Sequence, residues 1–283
     1  MKVIGKTVLQ LVAVVVISAL GGQALAAVQG KPWLMLAAGL LTAAAAVAAY
    51  AGLVRLTEKR RVDEVGRTGL VGGLSLGTVL GVAVFALVVV NIWFLGYYHV
   101  NGPGQVGGAV GLFGFMAAAA VTEELMFRGV LFRVIERRTG TWLAMLLTGL
   151  LFGAYHLANP DASVWGALAI VVEAGSMLTA AYVATRRLWV PIGLHFGWNF
   201  AAAAIFSTEV SGNGSNHGLL DATMSGPSLV TGGSFGPEGS LYSVVFCLLT
   251  AVVFLWVAHR RGRIVPMGGQ RLARLEAATT LPR

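Results

Sequence analysis

Glu123, Glu124, Arg128, His156, His195 and Asn199 stand in stretches otherwise made mainly of Ala, Leu, Gly, Val and aromatic residues. An ionisable group inside a membrane segment costs roughly 2.5–3.5 kcal/mol at a helix centre on insertion scales, so such residues are functional candidates by default. Glu124 and Arg128 are four apart and share one helical face, where they can form a charge-assisted pair. Glu123 points about 100° away and is left free to accept a proton from water. The two adjacent carboxylates are expected to titrate as a coupled pair. Phe152 and His156 lie on one face of a second helical stretch, and His195 and Asn199 on one face of a third. These are the parts for hydrolysis: a carboxylate base, an imidazole that holds water or carries a proton, and an amide with a second imidazole to stabilise an oxyanion. Glu123, His156 and His195 could instead ligate a divalent metal such as zinc. The His-Glu-x-x-His spacing is missing, and spacing alone leaves the metal question open. The plain alternative is an internally satisfied ion network that locks helices together.

The elements that must position these groups are membrane helices. The chain is 57% hydrophobic and 11% charged, with mean hydropathy +0.78, which indicates one polytopic membrane protein. The spacing predicts an all-α protein with about eight transmembrane helices, at roughly 8–27, 33–54, 70–95, 108–132, 142–158, 162–185, 189–206 and 241–259. The polar cluster then lies between helices four, five and seven. Lysines and arginines collect in alternate connections: Lys2 and Lys6, Arg55 to Arg67, Arg133 to Arg138, Arg186 and Arg187, and Arg260 to Arg263. The opposite connections carry Lys31 alone, so both termini are expected in the cytoplasm. The net charge of +8 is therefore a topology signal; no aromatic-basic surface for nucleic acid accompanies it. The basic 259–283 tail is a solvated, topology-setting segment able to touch anionic lipid.

Other positions have structural readings. Cys247 excludes an internal disulfide and suits a small packing role. The 207–240 linker has the composition of a flexible external loop, in which His217, Asp221 and Glu238 are expected to be solvated rather than metal-bound. Its Asn213-Gly214-Ser215 matches a glycosylation acceptor, which matters only in a secretory compartment. His99 and His259 suit membrane boundaries, Glu173 a helix–helix hydrogen bond with Ser176 or Thr179 nearby, and Tyr155, Trp165, Trp189 and Trp198 the interface. Lys2, Lys6, an apolar core and Ala24-Leu25-Ala26 resemble a signal peptide, whose removal would leave seven spans.

Three motifs together resemble the type II CAAX prenyl endopeptidases and their bacterial relatives, the CPBP or Abi intramembrane proteases. They are Glu-Glu-x-x-x-Arg at Glu123, Glu124 and Arg128, Phe-x-x-x-His at Phe152 and His156, and His-x-x-x-Asn at His195 and Asn199. They occur in the family's order, each on its own span, within 108–206. The resemblance implies a membrane endopeptidase in which Glu123 activates water with His156. Glu124 and Arg128 would position them, while His195 and Asn199 stabilise the oxyanion. The family is often named a metalloprotease, although this scheme requires no metal. Its eukaryotic members trim prenylated CAAX proteins, and its bacterial relatives are linked to peptide processing and bacteriocin immunity. Nothing in this sequence reads a prenyl group.

The chain accordingly divides into N-terminal helices over 1–107, a catalytic membrane core over 108–206, an external loop over 207–240, and a last helix with a basic tail over 241–283. The expected partners are a membrane protein or peptide substrate and the lipid bilayer, in a bacterial cytoplasmic membrane. The site is expected in the cytoplasmic half, in a water-filled cavity open to the cytoplasm. Two other classes compete: a non-catalytic membrane scaffold or immunity protein, and a small transporter relaying protons through Glu and His. The absence of an inverted repeat counts against transport.

Overall fold

A computed structural model describes residues 3–214 and 216–268. Lys2, the Ser215 of the glycosylation acceptor and the 269–283 part of the basic tail lie outside the described residues. The chain forms helices α1 (Val3–Ala27), α2 (Pro32–Glu58) and α3 (Leu70–Phe94), then a short strand β1 (Tyr98–Pro103). Helices α4 (Val106–Thr139), α5 (Thr141–His156), α6 (Val164–Thr185) and α7 (189–205) follow. Strand β2 (Leu220–Met224) and helix α8 (Leu241–Arg260) complete the fold. All eight expected helices are present, but six are long and apolar enough to cross a membrane by themselves. The two shorter members of the eight are α5, with 16 residues, and α7, over 189–205. About 20 residues are needed to cross the hydrocarbon. These two helices carry His156, His195 and Asn199.

Close backbone contact at glycine docks each site-bearing helix on a neighbour. Gly77 and Gly81 of α3 face α7, where a Cβ on either would stand 2.3 Å from a backbone oxygen, of Val190 or Leu194. The reciprocal faces are Gly193 and Gly197, whose Cβ would meet Leu74 O at 2.4 Å and Thr78 O at 2.3 Å. Helix association in lipid lacks a hydrophobic drive, so small residues that let backbones approach supply the packing. In the same way α4 packs on α2 through Gly114 and Gly39, and α5 on α6 through Gly149 and Gly175.

At the arginine-rich end the bundle is tied by ion pairs. Arg133 bonds Glu58 at 2.6 Å, Arg60 bonds Glu64, and Arg186 reaches Glu136 at 2.5 Å. The Tyr50 hydroxyl donates to Glu64 Oε1 at 2.7 Å, with the Gly129 carbonyl at 2.8 Å, which ties the 59–69 connection to the middle of α4. Burial alone would raise the Glu64 carboxyl pKa; the Arg60 guanidinium and Tyr50 hydroxyl outweigh it and hold the pKa below the ordinary value.

The opposite end is covered by 207–240, which is folded onto the bundle. Strand β2 pairs antiparallel with β1, Tyr98 opposite Met224 and Pro103 opposite Leu220. Glu238, expected to be solvated, is buried: it accepts from Trp198 Nε1 at 2.8 Å and from Ser211 Oγ at 2.8 Å. Trp198 is accordingly a buried tie between α7 and this cap, a correction to its expected interfacial place. His217 and Asp221 are exposed as expected, and Cys247 is buried in packing.

Candidate active site

Glu123 and Glu124 sit near the middle of α4, just before the helix widens to i→i+5 turns over Leu125–Phe132. Helix α6 widens likewise over Glu173–Leu178, and α7 over Ala201–Ile205, two residues beyond Asn199. Such turns redirect side chains and recur at functional sites.

Adjacency on one helix sends the two glutamates into different surroundings. Glu124 is fully buried, and its Oε1 accepts from Arg128 Nη1 at 2.6 Å and from His195 Nδ1 at 3.1 Å. Arg128 is 1% exposed. It also donates through Nε to Thr179 Oγ1 at 3.3 Å and through Nη2 to the Ala174 carbonyl, both on α6. Its guanidinium carbon lies 4.9 Å from the Phe152 ring centroid, a cation–π contact that explains an aromatic residue one turn before His156. One buried carboxylate thus gathers α4, α6 and α7, with α5 added through the Phe152 ring.

Glu123 turns the other way, into a cavity of about 550 Å³. His156 and Asn199 line the same cavity, as do Ser18, Thr42, Tyr155, Asn159 and Ser211. The His156 Nδ1 is 2.8 Å from the Phe152 carbonyl. A carbonyl only accepts, so this nitrogen carries the proton and Nε2 of the neutral ring is an acceptor. His195 lies behind, with Nδ1 on Glu124 and Nε2 3.8 Å from Glu123 Oε2. When its ring carries both protons, Nε2 is a donor on the Glu123 side.

All six candidate residues therefore converge, with Glu123, His156 and Asn199 on the cavity and Glu124, Arg128 and His195 packed behind them. Among the described residues no three His, Cys, Asp or Glu side chains are grouped to hold a metal ion. With Nδ1 of His156 on the Phe152 carbonyl and Nδ1 of His195 on Glu124, Nε2 is the free nitrogen of each ring. Because Glu123, His156 and His195 are not grouped closely enough to share an ion, no chemical step is routed through a metal.

Two features lay outside the sequence reading. Glu173 makes no helix–helix bond with Ser176 or Thr179: Ser176 donates back to Val172 and Thr179 accepts from Arg128. Its Oε1 is buried without a partner among the described residues, facing a void of about 20 Å³ shared with His156, His195 and Asn199. A void of that size holds about one water. The second feature is the cavity's direction. It opens past Ala26, Gln29, Met35, Asn213 and Asn216, at the end opposite the arginines. The expected opening at the arginine-rich end is corrected: the Tyr50–Glu64–Gly129 bonds and the Arg133–Glu58 pair fill that route. The signal, polar residues on both sides of the α1–α2 turn and in the cap, is spread over segments that touch only after folding.

Residues 105–201 match the model of a family described as type II CAAX prenyl endopeptidase Rce1-like. No curated protein and no solved structure was found to match the chain.

Proposed function

From an Rce1-like, type II CAAX prenyl endopeptidase domain over residues 105–201, we propose that this integral membrane protein hydrolyses a peptide bond in a membrane-associated polypeptide. The observation that carries the reading is that Glu123, His156 and Asn199 share one cavity while the neighbouring Glu124 is neutralised by Arg128 behind it. A water held between Glu123 and His156 Nε2 attacks the carbonyl carbon as its proton passes to Glu123. The developing oxyanion is met by the Asn199 amide, with His195 Nε2 as a second donor when that ring is doubly protonated. Collapse of the intermediate breaks the C–N bond, and the proton on Glu123 moves to the leaving nitrogen. Arg128 acts through Glu124, which holds His195; these three position the reacting groups.

The test compares polypeptide termini in membranes of cells carrying the native chain with those carrying Glu123→Gln at matched abundance. Carboxyl termini that appear only with the native chain are expected. A cellular effect that depends on the protein yet survives Glu123→Gln, with no terminus changed, would replace this reading with a scaffold.

A further inference from the structure

The cavity has one closed and one open end, and the charges of the molecule are divided along the same axis. At the closed end Arg60, Arg133, Arg137 and Arg186 pair with Glu58, Glu64 and Glu136, and further lysines and arginines stand in the same connections. The open end is built from the turns 28–31 and 157–163 and from the cap, which together hold Lys31 against Asp161, Glu209, Asp221 and Glu238. Positive connections stay in the cytoplasm during insertion. We propose that the cavity is served from the extracytoplasmic side, and that its substrate is an extended peptide segment emerging from the outer leaflet.

The chemistry of the walls specifies that segment. One side of the cavity is apolar or small: Gly22 and Ala26 on α1, and Leu112, Phe115 and Ala119 on α4. Gly22, Ala26 and Phe115 are exposed, so an apolar stretch of chain lying along them is taken out of water or lipid. The facing side is neutral and polar, formed by Asn159, Ser211, Asn213 and Asn216. The side-chain nitrogens of Asn159, Asn213 and Asn216 are engaged by local carbonyls, which fixes these side chains in place. Their amide oxygens are suited to the N–H groups of an extended peptide. Glu123 is the acidic residue on the cavity wall. A chain tail presented at the arginine-rich face meets the Tyr50, Glu58, Glu64 and Arg133 network, and the pocket at that face, lined by Glu58, Arg60 and Arg137, is separate from the cavity that holds Glu123.

The substrate part of this proposal rests on the endopeptidase reading; the side of access does not. The full-length chain, with Cys247→Ala, is to carry either Asn213→Cys or Gln29→Cys at the mouth, or Arg137→Cys at the closed end. A membrane-impermeant maleimide is then applied to sealed right-side-out and inverted vesicles. The mouth variants are expected to react at least tenfold faster in right-side-out vesicles, and Arg137→Cys in inverted ones; the reverse pattern overturns the proposal. Termini lost with Glu123→Gln are expected within about ten residues of an outer membrane boundary, and termini mapping to cytoplasmic segments overturn it. Outward labelling with no terminus dependent on Glu123 refutes the substrate class and the endopeptidase reading while leaving the side of access established.

Discussion

Two glutamates joined by one peptide bond have opposite surroundings. Glu124 Oε1 receives a guanidinium and an imidazole, whereas Glu123 faces the cavity. Substitution should separate their roles. Glu123→Gln keeps the shape and is expected to lower cleavage by about 10²–10⁴-fold, the range of a general base, with thermal unfolding in detergent little changed. Glu124→Gln leaves a buried guanidinium unneutralised. Breaking a buried pair costs about 3–5 kcal/mol, so lost activity here should come with a clearly lowered unfolding temperature. Glu173 has an orphaned buried oxygen, and Glu173→Met removes it while conserving volume. An apolar replacement of an unsatisfied polar group is near neutral or stabilising, by up to about 1 kcal/mol. A large destabilisation in thermal unfolding would show instead that the carboxyl is satisfied by bound water. Chelation is expected to leave cleavage unchanged; a loss reversed by zinc would overturn the metal-free scheme.

At the scale of elements, α3 and α7 are held face to face at glycines, and this contact sets where His195 and Asn199 sit. A Cβ on Gly197 would come within 2.3 Å of Thr78 O and 2.9 Å of its Cα, backbone atoms that cannot swing aside. Gly197→Val should therefore push α7 from α3 and cost about 1–3 kcal/mol as overpacking. Measured as thermal unfolding and cleavage on the same preparation, both should fall. At the half-buried Gly52, where an added Cβ meets nothing within 4 Å, Gly52→Ala should move neither. The spacing of Gly73, Gly77 and Gly81 was visible in the chain, but its partner was not, because α3 and α7 are separated by more than 90 residues.

For the whole molecule, the polarity of the bundle is decided by its two ends. The arginine-rich end depends on carboxylates that are charged, and in the connection between α2 and α3 the surroundings of Glu64 favour its charged form. Its folded pKa lies below the ordinary value of 4.5. Its stabilisation is therefore fully present above about pH 4.5 and is lost as pH falls through the lower folded value. Thermal unfolding followed from pH 7 to pH 3 is expected to show a decline beginning below about pH 4.5, reduced in Glu64→Gln. At the other end, Glu238 ties the cap to α7 through Trp198 and fastens the cap to itself through Ser211. Replacing it by Ala should loosen the cavity mouth, read as faster proteolytic nicking of 207–240.

The residue types and spacings alone determined that the chain is an all-helical membrane protein and where its helices lie. They also singled out Glu123, Glu124, Arg128, His156, His195 and Asn199, because polar groups stand out against apolar helices and a four-residue interval defines a shared face. The eight helices are all present, six of them long and apolar enough to cross a membrane by themselves, while α5 and α7 are shorter. The four-residue interval also assigned Glu124 to Arg128 and left Glu123 for water; only the tertiary structure decided that Glu238 is buried under Trp198 and that the cavity opens away from the arginines. Each depends on contacts between segments distant in the chain, such as Glu64 with Tyr50 and Gly129, or Ser211 with Glu238. Burial and solvent access are properties of the packed bundle, and local periodicity has no means of encoding which end of that bundle is closed.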